Sequence, residues 1–134
     1  GGVSNGADIH AARVLGYDFV LVGTRLIPAA ESMVSDEYRE MLVNSTIEDI
    51  VPSRSVSGVM ANWLKPSLER AGFDLSTAKT AEIDFSGNMA SETKAWKHIW
   101  SAGQGVGQIK SLYTAAELID ELEAGYKQSL ARKI

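Results

Sequence analysis

Residues 1–25 run Gly1-Gly2-Val3-Ser4-Asn5-Gly6, then Ala7 through Leu15, Gly16, Tyr17, Asp18-Phe19-Val20-Leu21-Val22 and Gly23-Thr24-Arg25, and their order decides the fold class. Three glycines and an Asn in the first six positions suit a loop with positive φ and close backbone approach. Residues 7–15 then fit a short helix, with Ile9, Val14 and Leu15 apolar and Ala11 and Ala12 small. Gly16 stands where a helix C-terminal glycine belongs. The unbroken apolar run 18–22 has the pattern of a strand buried on both faces, and it stops at Gly23-Thr24-Arg25. Glycine-rich loop, helix, buried strand and Gly-Thr-Arg loop make one αβ unit of a parallel α/β protein.

Beyond this unit the strand signal fades. Ser35 can cap a helix to about Val43, with Asp36 and Glu37 in the first turn where the helix dipole favours acids. Thr46 to Val51 fits a short strand ended by Pro52, an ambiguous stretch. Met60, Trp63, Leu64 and Leu68 are spaced for a helix that Pro66 breaks in two. Residues 73–90 read as irregular and polar, with a turn at Gly87-Asn88, and Ser91 can cap a helix through Trp100. Ala102-Gly103-Gln104-Gly105-Val106-Gly107 is a second glycine-rich loop. Thr114-Ala115-Ala116-Glu117 is a capping box, and Leu118, Ile119, Leu122, Tyr126 and Leu130 lie on one face of the helix that follows.

Composition narrows the classes. The 134 residues are 45% hydrophobic and 22% charged, which is globular rather than disordered or fibrous. The chain has no cysteine, which removes thiolate zinc sites, iron–sulfur clusters and disulfides. A net charge of −4 offers no basic stripe for nucleic acid. No apolar run approaches the roughly 20 residues that span a bilayer, and no signal segment opens the chain, so a cytoplasmic protein without membrane or nucleic-acid partners is expected. Parallel α/β folds need several βαβ units, and a full (β/α)8 barrel needs roughly 250 residues. The sequence therefore reads as beginning within a domain.

In a barrel, loops at the C-terminal ends of the last strands commonly hold phosphate. Glycine N–H groups, a helix N-terminus and the hydroxyls of Ser4 or Thr24 supply the donors; a tight strand-to-helix turn explains Gly1, Gly2 and Gly6 equally well. The remaining polar residues have plainer explanations. Asp36, Glu37, Glu40, Glu48 and Asp49 suit first helical turns and a solvated face. Glu117, Asp120, Glu121 and Glu123 form an acidic stripe on the outside of the last helix. Lys94, Lys97 and Lys110 flank the second glycine-rich loop as solvated charges, and Trp63, Trp96 and Trp100 suit a core or a subunit interface. His10 and His98 stand apart on helices, without the carboxylate spacing of a metal site.

Gly1-Gly2-Val3-Ser4-Asn5-Gly6, the Leu15-Gly16 helix end and Val22-Gly23-Thr24-Arg25 resemble the C-terminal part of nitronate monooxygenases, also called 2-nitropropane dioxygenases, of which flavin-dependent enoyl-reductases are close relatives. Trp100-Ser101-Ala102-Gly103-Gln104-Gly105-Val106-Gly107 is similar to that family's W-A-G-Q-x-V-G segment, with Ser101 inserted. The resemblance runs the length of the chain. It implies an α/β fold, the C-terminal portion of an FMN-binding TIM (β/α)8 barrel, mostly helical here. Residues 1–27 would be the phosphate-binding αβ unit and 28–134 a mainly helical C-terminal segment of the same domain. It implies FMN as cofactor, held by Gly1 and Gly2 of the phosphate loop and by Leu21, Val22, Gly23 and Thr24 at the strand end. Gln104 would approach the flavin or substrate pocket, although residues 103–107 also fit a helix-ending turn. The implied reaction is oxidation of alkyl nitronates by O2, by a parent enzyme of which this chain supplies the phosphate site. The family's catalytic His matches neither His10 nor His98, so no catalytic residue is expected here and the chain should not turn over alone. An enoyl-thioester reductase on the same scaffold is one alternative. A catalytically silent helical fragment that forms homo-oligomers through exposed barrel and helix faces is another.

Overall fold

A computed structural model of the chain describes residues 2–73 and 98–132. The expected irregular stretch 73–90 and the expected helix from Ser91, with Lys94, Trp96 and Lys97, lie almost wholly outside these residues. The described residues fall into two compact units, one within 1–44 and 103–134 and the other within 45–102.

In the first unit, α1 (Gly6–Val14) begins with a reciprocal cap. The Asp8 N–H donates to Asn5 Oδ1 at 2.9 Å, while Asp8 Oδ2 accepts the N–H groups of Asn5 at 3.2 Å and Ser4 at 2.8 Å. Its C-terminus closes on Gly16 at φ +89°, with Gly16 N–H donating to Arg13 O and Tyr17 N–H to Ala12 O. That pair of bonds is a Schellman ending, which needs the left-handed residue that glycine supplies. Helix α2 (Asp36–Asn44) is capped by Ser35 Oγ as expected and buries Leu42 completely. The last helix, α4 (Ala115–Ala131), opens on the expected Thr114–Glu117 box, and Glu31 Oε2 accepts the Ala115 N–H at 2.9 Å. Leu118 and Leu122 of α4 are buried, but Ile119 and Leu130 are more than half exposed, so the buried face is narrower than its periodicity implies. Helices α1 and α4 cross at Gly6 and Gly125 in near backbone contact.

The run 18–22 departs from expectation. No strand forms there, and Phe19 and Leu21 are 91% and 81% exposed, with Val20 and Val22 half-buried. Exposure alternates as it does along an extended chain. However, no described segment pairs with it, and without a neighbour a strand has neither ladder hydrogen bonds nor faces to bury.

The second unit contains a two-stranded antiparallel sheet, β1 (Ile50–Ser53) with β2 (Ala61–Leu64), in the register Val51 opposite Trp63. Residues 46–51 thus divide between a 3-10 turn at Ile47–Asp49 and the start of β1. Pro52 lies inside β1 instead of ending it, a position open to proline on an edge strand. Met60, Trp63, Leu64 and Leu68 do not share a helix. Trp63 and Leu64 belong to β2, and α3 (Lys65–Arg70) begins immediately after, with Pro66 in its first turn. Proline there costs nothing because that N–H has no intrahelical partner. Trp63, Leu68 and Ile99 form the core, with Val51, Val56, Ala61 and Phe73 packed against it. Trp100 is also buried, its ring under the Arg70 guanidinium at 3.8 Å. Ser67 Oγ, fully buried, accepts the Trp100 N–H at 2.6 Å. No described helix is long and apolar enough to cross a membrane.

Candidate functional site

The glycine-rich segments singled out in the sequence meet within the first unit. Gly103, which precedes the 3-10 turn Gln104–Gln108, donates its N–H to Thr24 Oγ1 at 2.8 Å. A side chain on Gly103 would strike the same Thr24 oxygen, and a Cβ on Gly105 would lie 1.9 Å from Ser4 Oγ. Both glycines thus lie in close approach to hydroxyl side chains of the facing loops. The opening loop, the Gly23-Thr24 turn and the Gly103–Gly107 segment are thus seated on one another.

Gly1 lies outside the described residues. Gly2 adopts φ +84°, and with Leu21 it lines an open cleft of about 570 Å3 bounded also by Val3, Asp8, Ala12 and Phe19. Val22 leads into Gly23, which has φ −99° and open space where its Cβ would be. Neither the backbone nor the chain's own packing requires glycine at 23. Thr24 begins a 3-10 turn, Thr24–Leu26, and its hydroxyl, already accepting from Gly103, keeps its own proton to donate. The N–H groups at the start of such a turn have no intrahelical acceptor. Gln104 is exposed beside Gly103.

Two of the expected donor groups are engaged, the second in part. Ser4 is buried with its hydroxyl turned toward Gly2 O and Gly105. In the first turn of α1 the Asp8 N–H is taken by Asn5 Oδ1, and Gly6 is part of the helix crossing rather than of the loop. Gly2 and Gly23 have open space where a side chain would be, and Thr24 keeps a hydroxyl proton. His10 Nδ1 lies 2.9 Å from Ser129 Oγ and its ring sits edge-on to Tyr126, which makes it a link between α1 and α4. His98 is exposed, and it is its backbone carbonyl that serves Ser67 and Arg70. Among the described residues no three His, Asp or Glu side chains gather as metal ligands.

The residue that sequence reasoning left unexplained is Arg25. Its side chain is 4% exposed. It donates from Nε to the Tyr113 hydroxyl at 3.0 Å, and its two terminal nitrogens donate to Ser4 O at 2.7 Å and Glu121 Oε2 at 2.8 Å. The Tyr113 hydroxyl donates back to Arg25 O at 2.6 Å. Burial acts to lower the Arg25 pKa, but the bonds to Tyr113 and Glu121 outweigh it and leave the pKa above the ordinary arginine value. The one signal in the sequence was a lone charge followed by the apolar Leu26-Ile27-Pro28.

The extended apolar run thus ends in a turn that faces a second glycine-rich segment. The sequence profile of the nitronate monooxygenase family matches residues 1–125, and the chain belongs to that family. It is 29% identical to a nitronate monooxygenase of Paraburkholderia phytofirmans, over 97% of this chain and 37% of the relative. Among solved structures, FabK from Thermotoga maritima is similar with a TM-score of 0.70 and 24% identity, over 97% of this chain and 43% of that one. A nitroalkane oxidase from Streptomyces ansochromogenes has a TM-score of 0.74 at 22% identity, over 97% and 39%. The fold here is a partial α/β arrangement shared with these solved structures, with helices and a small sheet. The chain spans about two fifths of each relative's length.

Proposed function

We propose that this chain carries the FMN phosphate site of an FMN-dependent nitronate monooxygenase, a cytoplasmic enzyme that oxidises alkyl nitronates with O2. One observation carries the reading: the 2.8 Å bond from Gly103 N–H to Thr24 Oγ1, which joins the strand-end turn to the Gly103–Gly107 segment. Gly2, Gly23 and Thr24 would hold the phosphate through backbone N–H groups and the Thr24 hydroxyl. Leu21 and Val22 would border it, and Gln104 would lie toward the flavin or the substrate. The open space at Gly23 fits an anion's approach, since a Cβ there would meet only the incoming group. Bound FMN would supply the electron transfer between nitronate and oxygen, and the protein would supply binding and orientation. No catalytic base is assigned to His10 or His98.

The test is a titration of the 134-residue chain with FMN, followed by flavin fluorescence, alongside Gly23→Glu. Because position 23 has ordinary φ and free space, the variant should fold normally while placing bulk and negative charge at the phosphate. Saturable binding, weakened at least about tenfold in the variant, is the expected result. Equal affinity in the two proteins would remove Gly23 from the site, and no binding to either would remove the phosphate reading from this chain. The likeness to FabK favours a second reading, an enoyl-thioester reductase on the same scaffold. NAD(P)H consumption by the flavin-loaded enzyme, in place of nitronate-dependent oxygen uptake, would decide for it.

A further inference from the structure

Arg25 is the only charged residue buried among those described, and its three side-chain nitrogens each face a partner in a different segment. Ser4 belongs to the opening loop, Tyr113 follows the 104–108 turn, and Glu121 lies on α4. Arg25 itself adjoins Thr24, which receives the Gly103 N–H. With its guanidinium turned inward on these partners, Arg25 is not placed to bind an anion directly. Its fork geometry suits it instead to hold several acceptors at once, which the single ammonium of lysine cannot reproduce. The Ser4 carbonyl is the critical partner. That bond is buried, so water cannot replace it, whereas the Glu121 side chain is 56% exposed.

We infer that Arg25 is a positioning residue for the phosphate site, fixing the Ser4 carbonyl and the Thr24 turn so that the donors of Gly2, Gly23 and Thr24 converge. The inference rests on the FMN reading above. It assigns phosphate recognition to a buried arginine that never touches phosphate, acting through the loop it ties down.

The readout is the ratio of riboflavin to FMN dissociation constants, which isolates the phosphate because the two ligands share the ring. Arg25→Lys keeps the charge and loses the fork, and the ratio should fall about tenfold. Tyr113→Phe removes one partner and folds more readily, and a drop of a few-fold is expected. Glu123→Gln, on the solvent side of α4, should leave the ratio unchanged. An unaltered ratio in Arg25→Lys and Tyr113→Phe overturns the inference, because charge alone would then suffice. Amide exchange of the ligand-free chain gives an independent measure. Residues 3–5 and 103–105 should exchange about tenfold faster in Arg25→Lys, and unchanged protection there also overturns it. A wild-type chain that binds FMN no better than riboflavin would instead sink the FMN reading, and loosened loops in the variant would then show the clamp without its ligand.

Discussion

At Gly6 and Gly105 a single added methyl would meet very different resistance. A Cβ on Gly6 would lie 2.0 Å from Tyr126 N and 2.4 Å from Leu122 O, so α1 and α4 would have to separate along their crossing. A Cβ on Gly105 would meet the Ser4 side chain, whose hydroxyl can rotate away to leave a tight 3.1 Å contact with Ser4 Cβ. Gly6→Ala should therefore destabilise by at least about 2 kcal/mol, even after the roughly 1 kcal/mol that alanine gains over glycine within a helix. Gly105→Ala should cost about 1 kcal/mol, and Ser4→Ala should recover part of that cost in the double variant. Denaturant midpoints of the four proteins check the order, and a Gly6→Ala protein as stable as wild type would show that the crossing is looser than described. These contacts explain what residue types alone left open. Glycine at 1–6 and 103–107 was visible in the sequence, but it reads the same whether it accommodates φ, a neighbouring chain or a ligand. Only the space around each position separates Gly105, pressed by Ser4, from Gly23, pressed by nothing.

Among the elements, α4 was the most legible, because its start is encoded by chemistry local to four residues. Thr114 donates both its N–H, at 2.7 Å, and its hydroxyl, at 2.9 Å, to Glu117 Oε2. Those bonds, the backbone one first, hold the Glu117 carboxyl below its ordinary pKa of 4.5. A folded-state pKa that is depressed contributes stability that is complete above the unfolded value and disappears as pH falls through the folded one. The first turn of α4 should therefore fray as the solution is acidified below about pH 4.5, and Glu117→Gln should be indifferent over that range. Amide exchange or NMR shifts of residues 115–118 against pH would check this. Equal acid sensitivity in both proteins would place the titrating group elsewhere. The stretch 60–68 was misread because apolar residues at 60, 63, 64 and 68 suit a helix and equally a strand followed by one. Pro66 was the arbiter. Taken as a breaker it ends a helix, but in the first turn of α3 it begins one.

For the molecule as a whole, the run 18–22 shows where local pattern stops deciding structure. Its composition is that of a parallel strand, yet pairing depends on segments distant in sequence, and among the described residues none pairs with it. The consequence for stability is measurable. Phe19, 91% exposed, should tolerate Phe19→Ser at a cost within about 0.5 kcal/mol, since nothing is uncovered by its loss. Leu118→Ala, at a fully buried position, should cost about 2–5 kcal/mol. Amides 18–22 should exchange near the rate of unprotected chain while those in the interior of α4 are retained. A Phe19→Ser cost comparable to that of Leu118→Ala would mean the run is buried in solution. Repeating the measurement at several protein concentrations then locates the cover. A cost that grows with concentration points to a second copy pairing along the unpaired run, as bare backbone edges allow, and a constant cost points to burial within the chain itself.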